Sequence, residues 1–172
     1  MLSASLRSLS VHDERQGGSL YFLEYLCFPP QKLESLNLRG HLGRLPQWVA
    51  NHIRLTRITL SHTQLGSDDI KLLGGIQSLL CLKLYSDSFR ERELVLGKDE
   101  FNGLRVLVVH CDAIRTISFK EHATPSLEVS SGSCFKTEPA TLKRHREATN
   151  AQRCITHWQF RPRASIPFAH NP

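Results

Sequence analysis

The stretch from Leu33 to Leu60 carries one six-residue pattern twice, and that recurrence limits what the chain can fold into. Leu33-Glu-Ser-Leu36-Asn-Leu38 is answered after 22 residues by Leu55-Thr-Arg-Ile58-Thr-Leu60. The last four residues of each copy alternate apolar and polar, the mark of a strand with one buried face. Between them Leu45-Pro46-Gln47-Trp48 turns the chain back toward the next strand. Neither half of such a unit can bury its leucines without a neighbour, so the units must stack.

The same spacing occurs at Leu6-Arg-Ser-Leu9-Ser-Val11, Leu79-Leu-Cys-Leu82-Lys-Leu84 and Leu104-Arg-Val-Leu107-Val-Val109. The starts at 6, 33, 55, 79 and 104 lie 27, 22, 24 and 25 residues apart. This is the period of about 20 to 29 residues that defines a leucine-rich repeat. The expected fold is α/β: a leucine-rich-repeat solenoid with a curved parallel sheet on its concave side and short helices or irregular segments on its convex side. A sixth start, Leu127-Glu-Val, runs into Ser130-Ser-Gly-Ser, where the pattern is expected to stop. Two regions follow: a repeat array over 1–128 and a basic, disordered tail over 129–172.

The connections differ from one another. Ser67-Asp-Asp-Ile70-Lys-Leu72-Leu73 before Gly74-Gly75 predicts a short convex helix with a hydroxyl N-cap, acidic residues in its first turn and a glycine stop. Leu42, Leu45, Trp48 and Val49 are expected to anchor the second connection in the core, with Pro46 preventing one long helix. Ile114, Ile117 and Phe119 alternate with polar residues and predict a short second strand on the back. Asp87 and Asp112, eight residues after their repeat starts, are expected to bond turn backbone.

If Leu36 and Leu38 point inward, Ser35, Asn37 and Arg39 point outward. The same count gives Ser8, Ser10 and His12; Arg57, Thr59 and Ser61; Cys81, Lys83 and Tyr85; Val106, Val108 and His110. Arg39, Arg57, Lys83, Tyr85 and His110 form a basic and aromatic surface, a composition that protein interfaces favour. They are the candidate protein-binding residues of the concave face.

Composition excludes several classes. A chain of 172 residues, 40% hydrophobic and 22% charged, is ordinary for a folded soluble domain. The longest apolar run, Leu20 to Phe28, is broken by Glu24 and falls short of a membrane span. The first residues make no secretory signal, there is no Asn-x-Ser/Thr site, and five scattered cysteines form no C-x-x-C, so a reduced, cytoplasmic setting is expected. The net charge of +6 is unevenly spread: residues 1–128 hold 15 basic against 14 acidic side chains, and residues 129–172 hold 7 against 2. Lys143-Arg-His-Arg146, Arg153, Arg161 and Arg163 therefore give an alternative reading, nucleic-acid or acidic-surface binding through the tail. Only Trp158 and Phe160 interleave with these charges, so nucleic acid is not the expected partner. Cys134, His145, Cys154 and His157 lack zinc-site spacing, and no serine stands in a G-x-S-x-G context. No cofactor, metal, small-molecule substrate or catalytic residue is expected. His12, His41, His62 and His110 recur because the repeat recurs.

The run Phe28-Pro29-Pro30-Gln31-Lys32-Leu33-Glu-Ser-Leu36-Asn-Leu38-Arg39-Gly40, followed by Leu45-Pro46-Gln47-Trp48-Val49, closely resembles the late repeats of plant intracellular nucleotide-binding leucine-rich-repeat disease resistance proteins. The likeness is to the coiled-coil class found in grasses. Leu60-Ser61, Thr63-Gln-Leu65, Asp68-Asp69, Leu82-Lys-Leu84, Phe101-Asn-Gly-Leu104-Arg-Val-Leu107 and Ala123-Thr-Pro125-Ser126-Leu127-Glu128 resemble the family in the same order, over about residues 6 to 128. The resemblance implies a recognition module that senses a pathogen effector or a guarded host protein, restrains a receptor switch domain, and serves a defence response that includes local cell death.

Two departures bear on that implication. No G-x-x-x-x-G-K-[ST] occurs, and Gly97-Lys98-Asp99 lacks both the upstream glycine and the hydroxyl, so nucleotide binding is not expected. The chain starts within the repeat array and resembles a fragment or a truncated product, the latter with no independent activity. The second departure is the tail, which has no counterpart of the repeat spacing.

Overall fold

A computed structural model describes residues 5–13, 19–135 and 155–161. Five strands carry the repeats: β1 (Ser8–His12), β2 (Ser35–Arg39), β3 (Arg57–Ser61), β4 (Cys81–Tyr85) and, after a strand β5 (Glu93–Leu96) on the back, β6 (Val106–His110). A second back strand, β7 (Thr116–Phe119), pairs in parallel with β5. Two further strands, β8 (Val129–Phe135) and β9 (Ile155–Arg161), continue the front sheet, whose order is β1-β2-β3-β4-β6-β8-β9.

Every front pairing is parallel and in the register that the repeat demands. Leu9, Leu36, Ile58, Leu82 and Leu107 form one row, and Val11, Leu38, Leu60, Leu84 and Val109 the next. Except in β1, where Leu9 and Val11 are half-buried, these side chains are buried, and they join one core with Val49, Ile70, Leu73, Leu94 and Ile117 from the back. Burying each Leu or Ile stabilises by roughly 1.5 to 3 kcal/mol, which no single repeat could multiply far enough to stand alone.

Hydrogen bonds step from one repeat to the next in the same way. At the lower edge of the sheet, the Arg7 carbonyl accepts from the amides of Glu34 and Ser35, Glu34 from Thr56 and Arg57, Thr56 from Leu80 and Cys81, and Leu80 from Arg105 and Val106. Side chains span the same interval. Thr56 Oγ1 donates to the Glu34 carbonyl, Ser78 Oγ to Leu55, and Trp48 Nε1 to Leu23 at 2.8 Å. Order thus passes between neighbours rather than across the whole chain. Glycine enters this scheme at Gly103, where an added Cβ would stand 2.7 Å from the Gln77 carbonyl oxygen of the preceding repeat.

The back is irregular because its sequence is. Tyr21–Tyr25 makes a short 3-10 turn, and α1 (Gln47–Ala50) is a single turn that starts just after Pro46. The convex helix expected near Ser67 is α2 (Ser67–Gly74), with Asp68 and Asp69 in its first turn and Gly75 at its end. Its N-cap is Gly66 and not the hydroxyl of Ser67. The reason is competition: the Ser67 amide and hydroxyl both donate to Glu91 on the next repeat, and Asp69 reaches back to the Gly66 amide instead, at 2.9 Å. The Asp69 carboxylate also accepts from the Leu45 amide at 2.8 Å, so one buried side chain pins α2 to the repeat before it.

One other expectation is corrected. Asp87, expected to bond turn backbone, instead directs its exposed carboxylate to His62, 3.5 Å away, with its own φ at 50°. Asp112 is likewise exposed. The inward bonds belong to Thr63, whose Oγ1 donates to the Ser88 carbonyl, and to Cys111, whose thiol donates to that of Phe89. Thr63 stands at the same offset from its repeat start as Asp87 and Asp112, so the position alone does not decide whether its side chain turns inward. The sheet also does not stop at Glu128. Val129–Gly132 pairs with Val106–Val109, and β9 pairs with β8 over seven residues. The edge of β6 offers free N–H and C=O groups, and a strand can satisfy them without leucines. Ser130 and Gly132 occupy the register positions of Leu107 and Val109, which is why the pattern is invisible in sequence there.

Candidate functional site

The five candidate residues stand on the outward rows of one sheet. Arg57 belongs to the lower row, Ser8–Ser35–Arg57–Cys81–Val106, and Lys83 to the middle row, Ser10–Asn37–Thr59–Lys83–Val108. Arg39, Tyr85 and His110 share the upper row, His12–Arg39–Ser61–Tyr85–His110. Burial along β2 and β4 alternates as the outward assignment requires. Arg39, Arg57 and His110 are exposed, and Lys83 and Tyr85 are half-exposed.

The sheet brings Tyr85 and His110 into direct contact, their rings stacked with centroids 5.8 Å apart and planes 12° from parallel. Their strands are hydrogen-bonded neighbours and the two residues are register partners, so the backbone sets this stack. Arg39 shares their row but is separated from Tyr85 by the Ser61 strand. Among the described residues, the ion pairs of Arg and Lys are Arg7–Glu34, Lys71–Asp68 and Arg105–Glu128. None of them engages Arg39, Arg57 or Lys83.

Cys81 lies between these cations. Burial pushes its thiol pKa up, against the opposing pull of Lys83 and Arg57, so the group stays protonated and acts as a small apolar contact.

Sequence reasoning placed the rows but not their contacts. At the β1–β2 end, His12 Nε2 lies 2.9 Å from Ser10 Oγ and 3.3 Å from Asn37 Nδ2, a polar cluster visible only once the strands are in register. A second surface feature also went unread. Tyr21, Phe22, Tyr25 and Phe28 are 50% to 85% exposed, although the run Leu20–Phe28 looks like core; Leu20 and Leu23 alone of that run are buried.

Among the described residues no group of three His, Cys, Asp or Glu stands where it could hold a metal ion, and no helix is long and apolar enough to cross a membrane. Of the tail residues, Lys143, Arg144, His145, Arg146, Arg153, Cys154 and Arg163 lie outside the described residues.

Comparison with known proteins accords with this geometry. A family model described as a leucine-rich repeat region matches residues 2–150. Disease resistance protein PIK6-NP of Oryza sativa subsp. japonica is 28% identical over 149 residues, covering 74% of this chain and 14% of that protein. Disease resistance proteins Pik-2 and Pikm2-TS of the same rice are each 26% identical over 151 residues, with the same coverage. The chain therefore spans about 14% of the length of these relatives. No solved structure matches. With its repeats in register from β1 to β6 and the family model covering most of its length, the chain belongs to the leucine-rich repeat family and is similar to rice disease resistance proteins.

Proposed function

We propose that this chain is the protein-recognition module of a cytoplasmic, defence-related disease resistance protein. Through its concave face it meets a protein partner: a pathogen effector, a guarded host protein or the receptor's own nucleotide-binding switch domain. It performs no catalysis and takes no small-molecule substrate. The observation that carries this reading is the set Arg39, Arg57 and Lys83, held outward on one sheet beside the Tyr85–His110 stack and engaged by no described carboxylate. Arginine and aromatic side chains on a rigid support lose little entropy on binding and are over-represented among residues that dominate interface energy. The similarity to rice disease resistance proteins supplies the setting.

The test is binding of the purified chain to secreted pathogen proteins and to the nucleotide-binding domains of the rice relatives. Arg39→Glu, Arg57→Glu and Lys83→Glu should each weaken binding at least tenfold. Thermal stability should stay within about 0.5 kcal/mol of the parent, since all three are surface sites. A partner that binds the triple reversal as tightly as the parent would refute the concave face.

A further inference from the structure

The concave face is chemically graded along the stack, and the geometry points to one kind of occupant: a linear protein segment that carries carboxylates at one end and an apolar side chain at the other. This rests on the recognition role proposed above and adds the chemistry of the partner. On β1 and β2 the outward positions are Ser8, Ser10, His12, Ser35 and Asn37, all hydroxyl, amide or imidazole groups, until Arg39. Next come Arg57 on β3 and Lys83 on β4. On β6 they are Val106 and Val108, half-exposed, with His110 stacked on Tyr85. No Asp or Glu occupies any of the fifteen outward positions from β1 to β6.

Three cations on three adjacent strands without a carboxylate among them repel one another unless a partner supplies negative charge. Their register makes the demand specific. Arg39, Arg57 and Lys83 lie on successive strands in the upper, lower and middle rows, so they ring the Thr59 position. Adjacent strands are about 4.8 Å apart, which places Val106 and Val108 about 14 Å from the strand of Arg39. Those two valines offer apolar surface outward beside a flat aromatic stack, which an aliphatic or aromatic side chain would cover. The segment thus sets its carboxylates over β2 to β4 and its apolar anchor over β6.

The experiment is selection from a phage-displayed library of random 12-residue peptides, unbiased in charge, against the full chain. Selected peptides should contain two or more carboxylates at one end and a Leu, Ile, Phe or Trp at the other. Synthetic copies should bind with an affinity that falls as salt rises. Arg39→Gln, Arg57→Gln and Lys83→Gln together should weaken them at least tenfold, and Val108→Asp should do likewise through the anchor. Neutralising Lys143, Arg144, Arg146 and Arg153 should leave affinity unchanged. Peptides without acidic enrichment that still lose binding on Tyr85→Ala or Val108→Asp would overturn this inference and leave the recognition role standing. Peptides insensitive to every concave substitution, or an affinity lost only with the tail charges, would overturn both. Failure to select any sequence would overturn the inference, while binding of an intact protein partner tests the recognition role separately.

Discussion

The front and back of this stack are built from the same chain under opposite rules. On the front, five strands of five residues keep one register from Ser8 to His110, each laying two apolar residues on the last pair. On the back, the same repeats close with a 3-10 turn, a one-turn helix, an eight-residue helix and a two-stranded sheet. The contrast teaches where the repeat is constrained. Front strands must hydrogen-bond to both neighbours, so a shift of one residue would turn every leucine outward. Back segments need only cover the core, and each can do so with whatever its local residues prefer.

If that is right, the largest effect comes from the front rows. Leu60→Ala or Leu82→Ala removes a fully buried side chain held between two strands, and each should cost about 2 to 5 kcal/mol by urea unfolding. An equal loss from truncating half-buried Leu127 would break the distinction between inner and terminal layers. Gly103→Ala comes next. Its Cβ would press on the Gln77 carbonyl, a backbone atom that cannot swing aside, and about 1 to 3 kcal/mol should be lost.

On the back, Asp69→Ala strips acceptors from the buried amides of Leu45 and Gly66 and should cost about 1 to 3 kcal/mol, with Asp69→Asn retaining part of that. Trp48→Phe, which loses the bond to the Leu23 carbonyl, should cost about 0.5 to 1.5 kcal/mol. If both substitutions were silent, the irregular connections would be passive covers instead of staples.

The smallest effect is acidic. The hydroxyl of Ser67, and then its amide, hold the Glu91 carboxyl below its ordinary value. A depressed folded value adds stability above the unfolded carboxyl range, and that contribution disappears as pH falls through the folded value. Ser67→Ala should flatten the melting temperature against pH over that interval. The group is largely solvated, so the change should be slight.

Much of the front was legible because its constraint is periodic. Leu33, Leu36 and Leu38 recur at one spacing, and the outward positions of Arg39, Arg57, Lys83, Tyr85 and His110 follow from alternation alone. The back strand at Thr116–Phe119 was legible for the same reason, whereas its partner Glu93–Leu96 was not. Glu-Leu-Val-Leu carries an apolar residue, Val95, between its two buried leucines, so it shows no apolar–polar alternation, and only pairing with β7 marks it as a strand. Asp87 and Asp112 were misread because the offset from the repeat start does not say which side chain turns inward: Thr63 at that offset does, and the two aspartates are exposed. The strands beyond Glu128 escaped for a different reason: backbone pairing with β6 leaves no hydrophobic trace.

The amino-acid sequence by itself determined the repeat, its period, the inward leucines and the outward cations, since each depends on spacing along one strand. Only the tertiary structure decided which residues become neighbours: the Tyr85–His110 stack, the register that sets Arg39, Arg57 and Lys83 around the Thr59 position, and the reach of buried Asp69 to Leu45. The stack and the Asp69 bond each join residues about one repeat apart, and their distances are set by strand register and by how each back segment happens to close.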